Sequence, residues 1–366
     1  MKILITGGVG HIGTNICIEA MKRGHQIIAM DNLHREGVIK NLKYLQETYK
    51  DKFEFIWGDV RNPEDFDKLP KDIQGCVMGA ANPGIPWSIE YPTYDFRTNA
   101  EGTVNTLEYL RKCGNPPTAY CSTNKTFSDI INTLPIKEEE KRYMWGQLPG
   151  FEYEELLAGL DMEDPYSGTI QSINELFPVS GFGKYGHSMY GISKLTGELY
   201  CTEYHTQYGL PMVILKMSCI FGLHQLGAIE QGWISYFLQK IGFGDGKLTF
   251  FGTGKQVRDV LDARDVAKLY MDCIENIDKC NGEIFTVGGG PENTLSLIEA
   301  VEAIERLIGK KASISHEPKR SADQDIYISS IHHVKEIMGW EPTIKFEQTL
   351  KDMWDEYGGV SWTLNK

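Results

Sequence analysis

No run of 18 apolar residues occurs in this 366-residue chain, so no segment reads as a membrane span. Its opening, MKILITGG, has neither a basic n-region nor an apolar stretch leading to a cleavage site, and the expected location is cytoplasmic. Metal-ligand spacing is missing too. The eight cysteines contain no C-x-x-C pair, the nine histidines contain no H-x-x-x-H, and His332-His333 is merely a neighbouring pair. Reduced thiols packed as small hydrophobes are expected, and no metal site. Positive charge is in short supply: 37 Lys and Arg face 50 Asp and Glu, for a net charge of −13. Such a chain is poorly suited to a polyanion, which argues against nucleic acid and anionic membranes as partners. A phosphate-bearing ligand would have to be held locally, by a helix N-terminus or a well-placed Arg.

What is present is an ordinary globular composition, 41% hydrophobic and 24% charged, long enough for two packed domains or one large α/β unit. Apolar runs at residues 2–6 (KILIT), 26–30 (QIIAM), 53–57 (FEFIW), 75–79, 118–122 and 212–217 read as strands. Helix-spaced patterns at 13–23 and 100–112 lie between them. That rhythm predicts an α/β fold, a doubly wound parallel sheet with helices on both faces. Two regions break it. Residues 127–184 are acidic, Gly- and Pro-rich and without a period, hence a lid or an elaborated surface loop. Beyond Phe221 the pattern turns aromatic and mixed, with a helical stretch at 294–308. The expected division is a cofactor domain over 1–223, carrying an insert at about 128–184, and a smaller domain over 224–366, parts of which return to the sheet.

Directly after the first strand comes Gly7-Gly8-Val9-Gly10-His11-Ile12-Gly13, a G-x-x-G-x-x-G loop opening a helix. Gly7 permits the tight turn, Gly10 lets the backbone approach a pyrophosphate, and Gly13 lets helix and strand pack closely. Asp31 ends the second strand, 18 residues beyond Gly13. Its carboxylate is placed to accept both hydroxyls of an adenosine ribose and to repel a 2′-phosphate, which favours NAD over NADP. Asp59, in Gly58-Asp59-Val60, is either an adenine contact or a strand-end turn.

Tyr190-Gly191-Ile192-Ser193-Lys194 is a Y-x-x-x-K, which sets Tyr190 and Lys194 on one helix face. A phenol with an ordinary pKa near 10 is a poor base at neutral pH. A neighbouring ammonium and a positive nicotinamide ring would lower that value. Thr123 adds a hydroxyl at the end of the fifth strand.

Loop 7–13, Asp31, Thr123 and the Tyr190/Lys194 pair resemble the extended short-chain dehydrogenase/reductase (Rossmann) family, the NDP-sugar epimerases and dehydratases, over nearly the whole chain. Asn99, ahead of its helix, and Arg258-Asp259-Val260 extend the likeness. Ser122-Thr123-Asn124-Lys125, Glu230-Gln231-Gly232-Trp233, Gly254-Lys255-Gln256-Val257-Arg258 and Arg320 with Asp323-Gln324 are most similar to the branch that acts at C2 of CDP-deoxyhexoses. The resemblance implies an isomerase that uses NAD held by Gly7, Gly10, His11, Ile12, Gly13, Asp31, Asn32, Asp59, Val60, Ala80, Ala81, Asn99, Tyr190 and Lys194. Thr123, Tyr190 and Lys194 would be catalytic, and Asn124, Lys125, Gln231, Arg258 and Arg320 would hold a nucleotide-sugar substrate. A homo-oligomer is also implied. The 4,6-dehydratases carry an Asp-Glu pair directly after the Thr; the amide and ammonium of Asn124-Lys125 cannot supply that acid/base pair, so dehydration is disfavoured. The chain reads Val77-Met78-Gly79-Ala80-Ala81 where relatives commonly carry apolar-His-Leu-Ala-Ala, and Thr123 lies 67 residues before Tyr190, a longer gap than is usual. Two other readings stand beside the C2-epimerase: a 4-epimerase or other oxidoreductase of the family, and a non-catalytic NAD-binding sensor.

Overall fold

Seven strands pair in parallel into one sheet: β1 (Lys2–Thr6), β2 (Gln26–Asp31), β3 (Phe53–Trp57), β4 (Gly75–Met78), β5 (Thr118–Thr123), β6 (Met212–Met217) and β7 (Ile284–Val287). Their order across the sheet is β7-β6-β5-β4-β1-β2-β3. The computed structural model describes residues 1–148, 156–162, 168–181, 183–227, 232–320 and 322–359. β4, β5 and β6 are buried along their whole length, which is why they read as continuous apolar runs. Successive side chains point to opposite faces. Ile3, Ile5, Val77, Ala119, Val213 and Leu215 face the helices His11–Lys22 and Ala263–Glu275. Leu4, Cys76, Met78, Met212 and Ile214 face the helices Gly102–Lys112 and Met189–Tyr208. Each such aliphatic side chain contributes about 1.5–3 kcal/mol by leaving water. Chain order reverses between β1 and β4, so a crevice opens there at the carboxyl ends of the strands.

A second body follows β6. Strand Cys219–Phe221 pairs with Val257–Asp262, which also pairs with Thr294–Ser296 and Ile326–Tyr327. Helices Trp233–Gly242, Leu297–Ile308 and Phe346–Gly359 close around Phe237, Leu238, Phe250, Val260, Ile304 and Leu350. The chain then feeds back into the first body, since Ala263–Glu275 and β7 complete the main sheet and its helical cover.

The expected pattern at 294–308 divides in two. Thr294–Ser296 is a strand, and Ser296 then caps helix Leu297–Ile308 through a reciprocal box with Glu299. The helix expected from residue 100 begins at Gly102, after a π-turn at Arg97–Glu101. The aperiodic stretch 127–184 forms two small hairpins, Ile136–Glu138 with Tyr143–Trp145 and Leu160–Met162 with Ile170–Ile173. Phe127, Ile131, Trp145, Ile173 and Phe177 of this stretch pack on Val257, Ile326 and Tyr327 of the second body. Hydrogen bonds join the two as well, from Tyr143 N–H to the Lys255 carbonyl (2.8 Å) and from Ile173 N–H to the Ile328 carbonyl (2.8 Å). Ion pairs Lys141–Glu302 and Lys255–Glu138 (both 2.7 Å) add to the seam. The aperiodicity therefore reflects short hairpins that share a core with a distant part of the chain.

Candidate active site

Loop 7–13 leaves β1 at the point where the strand order reverses. Gly7 takes φ = 69°, in the left-handed region, and its N–H donates to the Met30 carbonyl at 2.8 Å. A Cβ on Gly13 would lie 2.2 Å from the Gly7 carbonyl oxygen, whereas one on Gly10 would meet only that oxygen, at 3.3 Å. Gly13 is thus required by packing within the protein, and Gly10 faces open space. Gly10 caps helix His11–Lys22 with no side-chain hydrogen bond, so the first-turn N–H groups at His11, Ile12 and Gly13 are left for an anion. The Nε2 atom of His11 is buried without a partner among the described residues, and burial pulls the imidazole down to about 3, keeping it neutral. Asp31 accepts the N–H groups of Leu33 (2.9 Å) and Val9 (3.4 Å), and burial raises its pKa. An uncapped helix terminus, open space at Gly10 and a strand-end carboxylate fit a dinucleotide.

The loop after β3 is linked to the loop after β2. Asp59 is buried, which alone would raise its pKa. The Arg61 guanidinium (2.9 and 2.6 Å) and the Asn32 amide (2.9 Å) win, holding it at about 2. Ala80, after β4, donates its N–H to the Thr6 hydroxyl at 3.3 Å. Asn99 is wholly buried. Its oxygen accepts the Asn82 N–H (2.8 Å), and its amide donates to the Asn82 carbonyl, Asp95 and Ser193 (3.1, 3.1 and 3.0 Å). In this geometry Asn99 braces the loop after β4 against helix Met189–Tyr208.

Helix Met189–Tyr208 starts at Ser188, whose hydroxyl accepts the Gly191 N–H (2.9 Å). Gly191 lets this terminus come close to β5, since a Cβ there would lie 2.2 Å from the Lys125 carbonyl oxygen. That approach brings Tyr190 within hydrogen-bonding reach of Thr123. Burial pushes the Tyr190 phenol up to about 12, and the Thr123 hydrogen bond pulls the other way. Lys194 is buried and its pKa falls to about 8, chiefly by desolvation. Its ammonium rests 4.1 Å from the centre of the Tyr120 ring. The helix backbone at Tyr190 is also held by Ser88, whose hydroxyl accepts its N–H at 3.1 Å.

The remaining expected residues converge from two bodies. Lys125 Nζ donates to Gln324 Oε1 (2.9 Å) and the Ala322 carbonyl (3.4 Å), and Asn124 Nδ2 to the same Gln324 oxygen (3.3 Å). Burial, with the Arg258 charge nearby, lowers Lys125 to about 8. Arg258 Nη2 is engaged by Asp323 (2.6 Å) and the Gln324 carbonyl (2.7 Å). Arg320 lies 3.7 Å from the centre of the Phe251 ring. Gln231 lies outside the described residues. No group of three or more His, Cys, Asp or Glu is arranged to hold a metal among the described residues, and no described helix is long and apolar enough to cross a membrane.

Sequence reading alone gave no role to a buried network directly behind Thr123. Glu198, on the same helix as Tyr190, accepts from Ser122 and from Lys216 Nζ (2.7 Å), and Lys216 also reaches the Thr126 hydroxyl (2.9 Å). The pair is 3% and 4% exposed, so its charges must satisfy each other. A Glu two turns beyond Tyr190 and a Lys in an apolar strand were the available signals.

Comparison with known proteins is consistent across sequence and fold. The profile of the NAD dependent epimerase/dehydratase family matches residues 3–148 and 170–288. CDP-paratose 2-epimerase of Salmonella typhi is 32% identical over 97% of this chain and 98% of its own. A putative UDP-glucose 4-epimerase of Methanocaldococcus jannaschii is 27% identical over 99% and 98%. In fold, the chain is similar to UDP-glucose 4-epimerase of Thermus thermophilus in complex with NAD, with a TM-score of 0.75 at 23% identity, covering 98% of this chain and 100% of that one.

Proposed function

This chain belongs to the NAD dependent epimerase/dehydratase family, and from that premise we propose that it epimerises a nucleotide sugar at C2, a CDP-deoxyhexose being the substrate class. The observation that carries the reading is the hydrogen bond between Thr123 and Tyr190, with Lys194 one turn along the same helix, at the sheet edge from which loop 7–13 also leaves. Bound NAD supplies the acceptor, and then the donor, for the hydrogen at the reacting carbon. Tyr190 takes the sugar hydroxyl proton on its phenolic oxygen and later returns it. Thr123 hydrogen-bonds the same oxygens and keeps the phenol aimed at the substrate. Burial raises the phenol to about 12 and the Thr123 hydrogen bond pulls it down; the Lys194 ammonium, one helical turn beyond Tyr190, would favour the phenolate further. Asn124, Lys125 and Gln324 present amide and ammonium donors to the sugar. Arg258 and Arg320 suit a diphosphate, for which Asp323 keeps the Arg258 fork ordered.

The likeness to CDP-paratose 2-epimerase supports C2 over C4, and the Asn124-Lys125 pair argues against dehydration. The 4-epimerase reading keeps the support of the putative UDP-glucose 4-epimerase relative. We further propose a cytoplasmic homodimer. Ile192, Leu199 and Tyr200 of the catalytic helix, with Ile89 and Phe96 nearby in sequence to its Ser88 anchor, are 46–58% exposed, an apolar face suited to a second copy.

A substrate deuterated at C2 tests the chemistry. The product should keep its deuterium, and reaction in D₂O should place none there. Solvent deuterium at C2, or an unchanged C2 configuration with inversion at C4, would overturn the proposal.

A further inference from the structure

Three loops that leave the sheet on the adenosine side are joined by a closed circuit of side chains. Asn32, after β2, donates to Asp59, after β3 (2.9 Å). Asp59 grips Arg61, and the Arg61 guanidinium lies 4.4 Å from the centre of the Tyr94 ring, in the segment after β4. Tyr94 in turn packs against His34, with centroids 5.4 Å apart, and His34 returns the circuit to the loop after β2. Trp87 joins from helix Ile85–Glu90, 6.5 Å from His34 and 6.4 Å from Tyr94, both edge-on.

The placement of this circuit follows from strand order. β1 lies between β2 and β4, and loop 7–13 leaves β1. Side chains that reach from the loop after β2 to the segment after β4 must therefore pass across the mouth of the crevice that loop 7–13 lines. His34 is aimed there by consecutive turns: the Asp31 carboxylate accepts the Leu33 N–H (2.9 Å), the Asn32 oxygen accepts the His34 N–H (3.0 Å), and Leu33 takes φ = 56°. Trp87 stands on a fixed base, because the next residue, Ser88, accepts the Tyr190 N–H. Both ends of the cluster are thus held through backbone hydrogen bonds, at residues 33–34 on one side and at Ser88 on the other.

We infer that His34, Trp87, Tyr94 and Arg61 form a strap that retains the dinucleotide through the catalytic cycle. The inference rests on the NAD-dependent reading above and extends it to cofactor exchange. Its need is chemical. Oxidation of the sugar alcohol to a ketone reduces NAD⁺ to NADH, with the hydroxyl proton on Tyr190, and only the same NADH can reduce that ketone. Escape of NADH at this point leaves a stranded keto-sugar and a protein without cofactor. The aromatic contacts of the strap hold two loops together without occupying the reacting centre, so loosening them should speed escape and leave the chemistry intact.

The test compares wild type with His34→Ala, Trp87→Phe and the His34→Ala/Trp87→Ala double variant, all as full chains. Protein loaded with NAD is desalted repeatedly, and the retained nucleotide is released by heat and quantified. The double variant should lose NAD about tenfold faster than wild type, His34→Ala should fall between them, and Trp87→Phe should match wild type because a ring remains. With nucleotide sugar present, filtrates of the double variant should absorb at 340 nm, and added NAD should restore its turnover. Equal retention by wild type and the double variant overturns the strap alone. A wild-type protein that binds no added NAD overturns the functional reading and the strap with it.

Discussion

The two glycines of loop 7–13 separate packing from ligand binding, and one pair of substitutions can measure both. In Gly13→Ala the new methyl carbon would sit 2.2 Å from the Gly7 carbonyl oxygen and 2.8 Å from Gly8 Cα. Both obstacles are backbone, tied into the sheet by the Gly7 N–H bond to Met30, so neither can rotate away as a side chain would. Overpacking of this kind costs about 1–3 kcal/mol, and here the upper end applies. At about 2 °C per kcal/mol for a chain of this size, cofactor-free Gly13→Ala should melt about 6 °C below wild type. Gly10→Val meets one contact, at 3.3 Å, on a backbone of φ −68° and ψ 174° that any residue adopts. Its stability without cofactor should stay within about 0.5 kcal/mol of wild type.

Added NAD is the second readout. At a hundredfold excess over its dissociation constant, a ligand stabilises by about 2.7 kcal/mol, so wild type should gain about 5 °C. Gly10→Val should gain nothing, because its side chain fills the space through which the helix terminus would reach a pyrophosphate. Thermal unfolding with and without NAD, alongside heat-released nucleotide analysis, reads both effects. A Gly10→Val protein that keeps its NAD and its upward shift would refute the assignment of this loop. A Gly13→Ala protein as stable as wild type would refute the packing argument.

Tyr190→Phe should retain fold and NAD but lose turnover by about 10²–10⁴, the usual worth of a positioned acid/base group; a variant within a few-fold of wild type would mean that another residue carries the proton. Lys216→Met should leave Glu198 charged and buried without its partner, at a cost of about 3–5 kcal/mol. Denaturant unfolding would reveal that loss, and a change under about 1 kcal/mol would show that the network behind Thr123 contributes little.

The division between what the sequence disclosed and what it concealed follows sequence separation. Loop 7–13 is legible because turn, helix start and strand packing are all set by residues within one stretch. Tyr190 and Lys194 are legible because helical spacing alone brings them to one face. β7 (Ile284–Val287) lies within the mixed stretch beyond Phe221, and only its pairing with β6, some 70 residues earlier in the chain, returns it to the main sheet. The substrate side is harder in kind. Asn124 and Gln324 share a hydrogen bond across 200 residues, and Arg258 reaches Asp323 across 65. Neither contact has a local pattern, so the separate stretches could be named only through family resemblance, and their meeting only through the fold.

The aperiodic segment 127–184 makes the same point from the opposite direction. Its lack of a period suggested a lid or surface loop, yet its apolar residues are spaced for a core that includes Val257, Ile326 and Tyr327. Val257, Ile326 and Tyr327 close that core from a distant part of the chain, so no window of the segment could display it whole. The segment also begins just past Thr123 and ends just before Tyr190, so packing it on the second body draws that body toward both residues. Gln324, two residues from Ile326 in the shared core, then meets Asn124 and Lys125 as a consequence of that packing. The reach of the second body into the site and the anchoring of the insert are therefore one structural event.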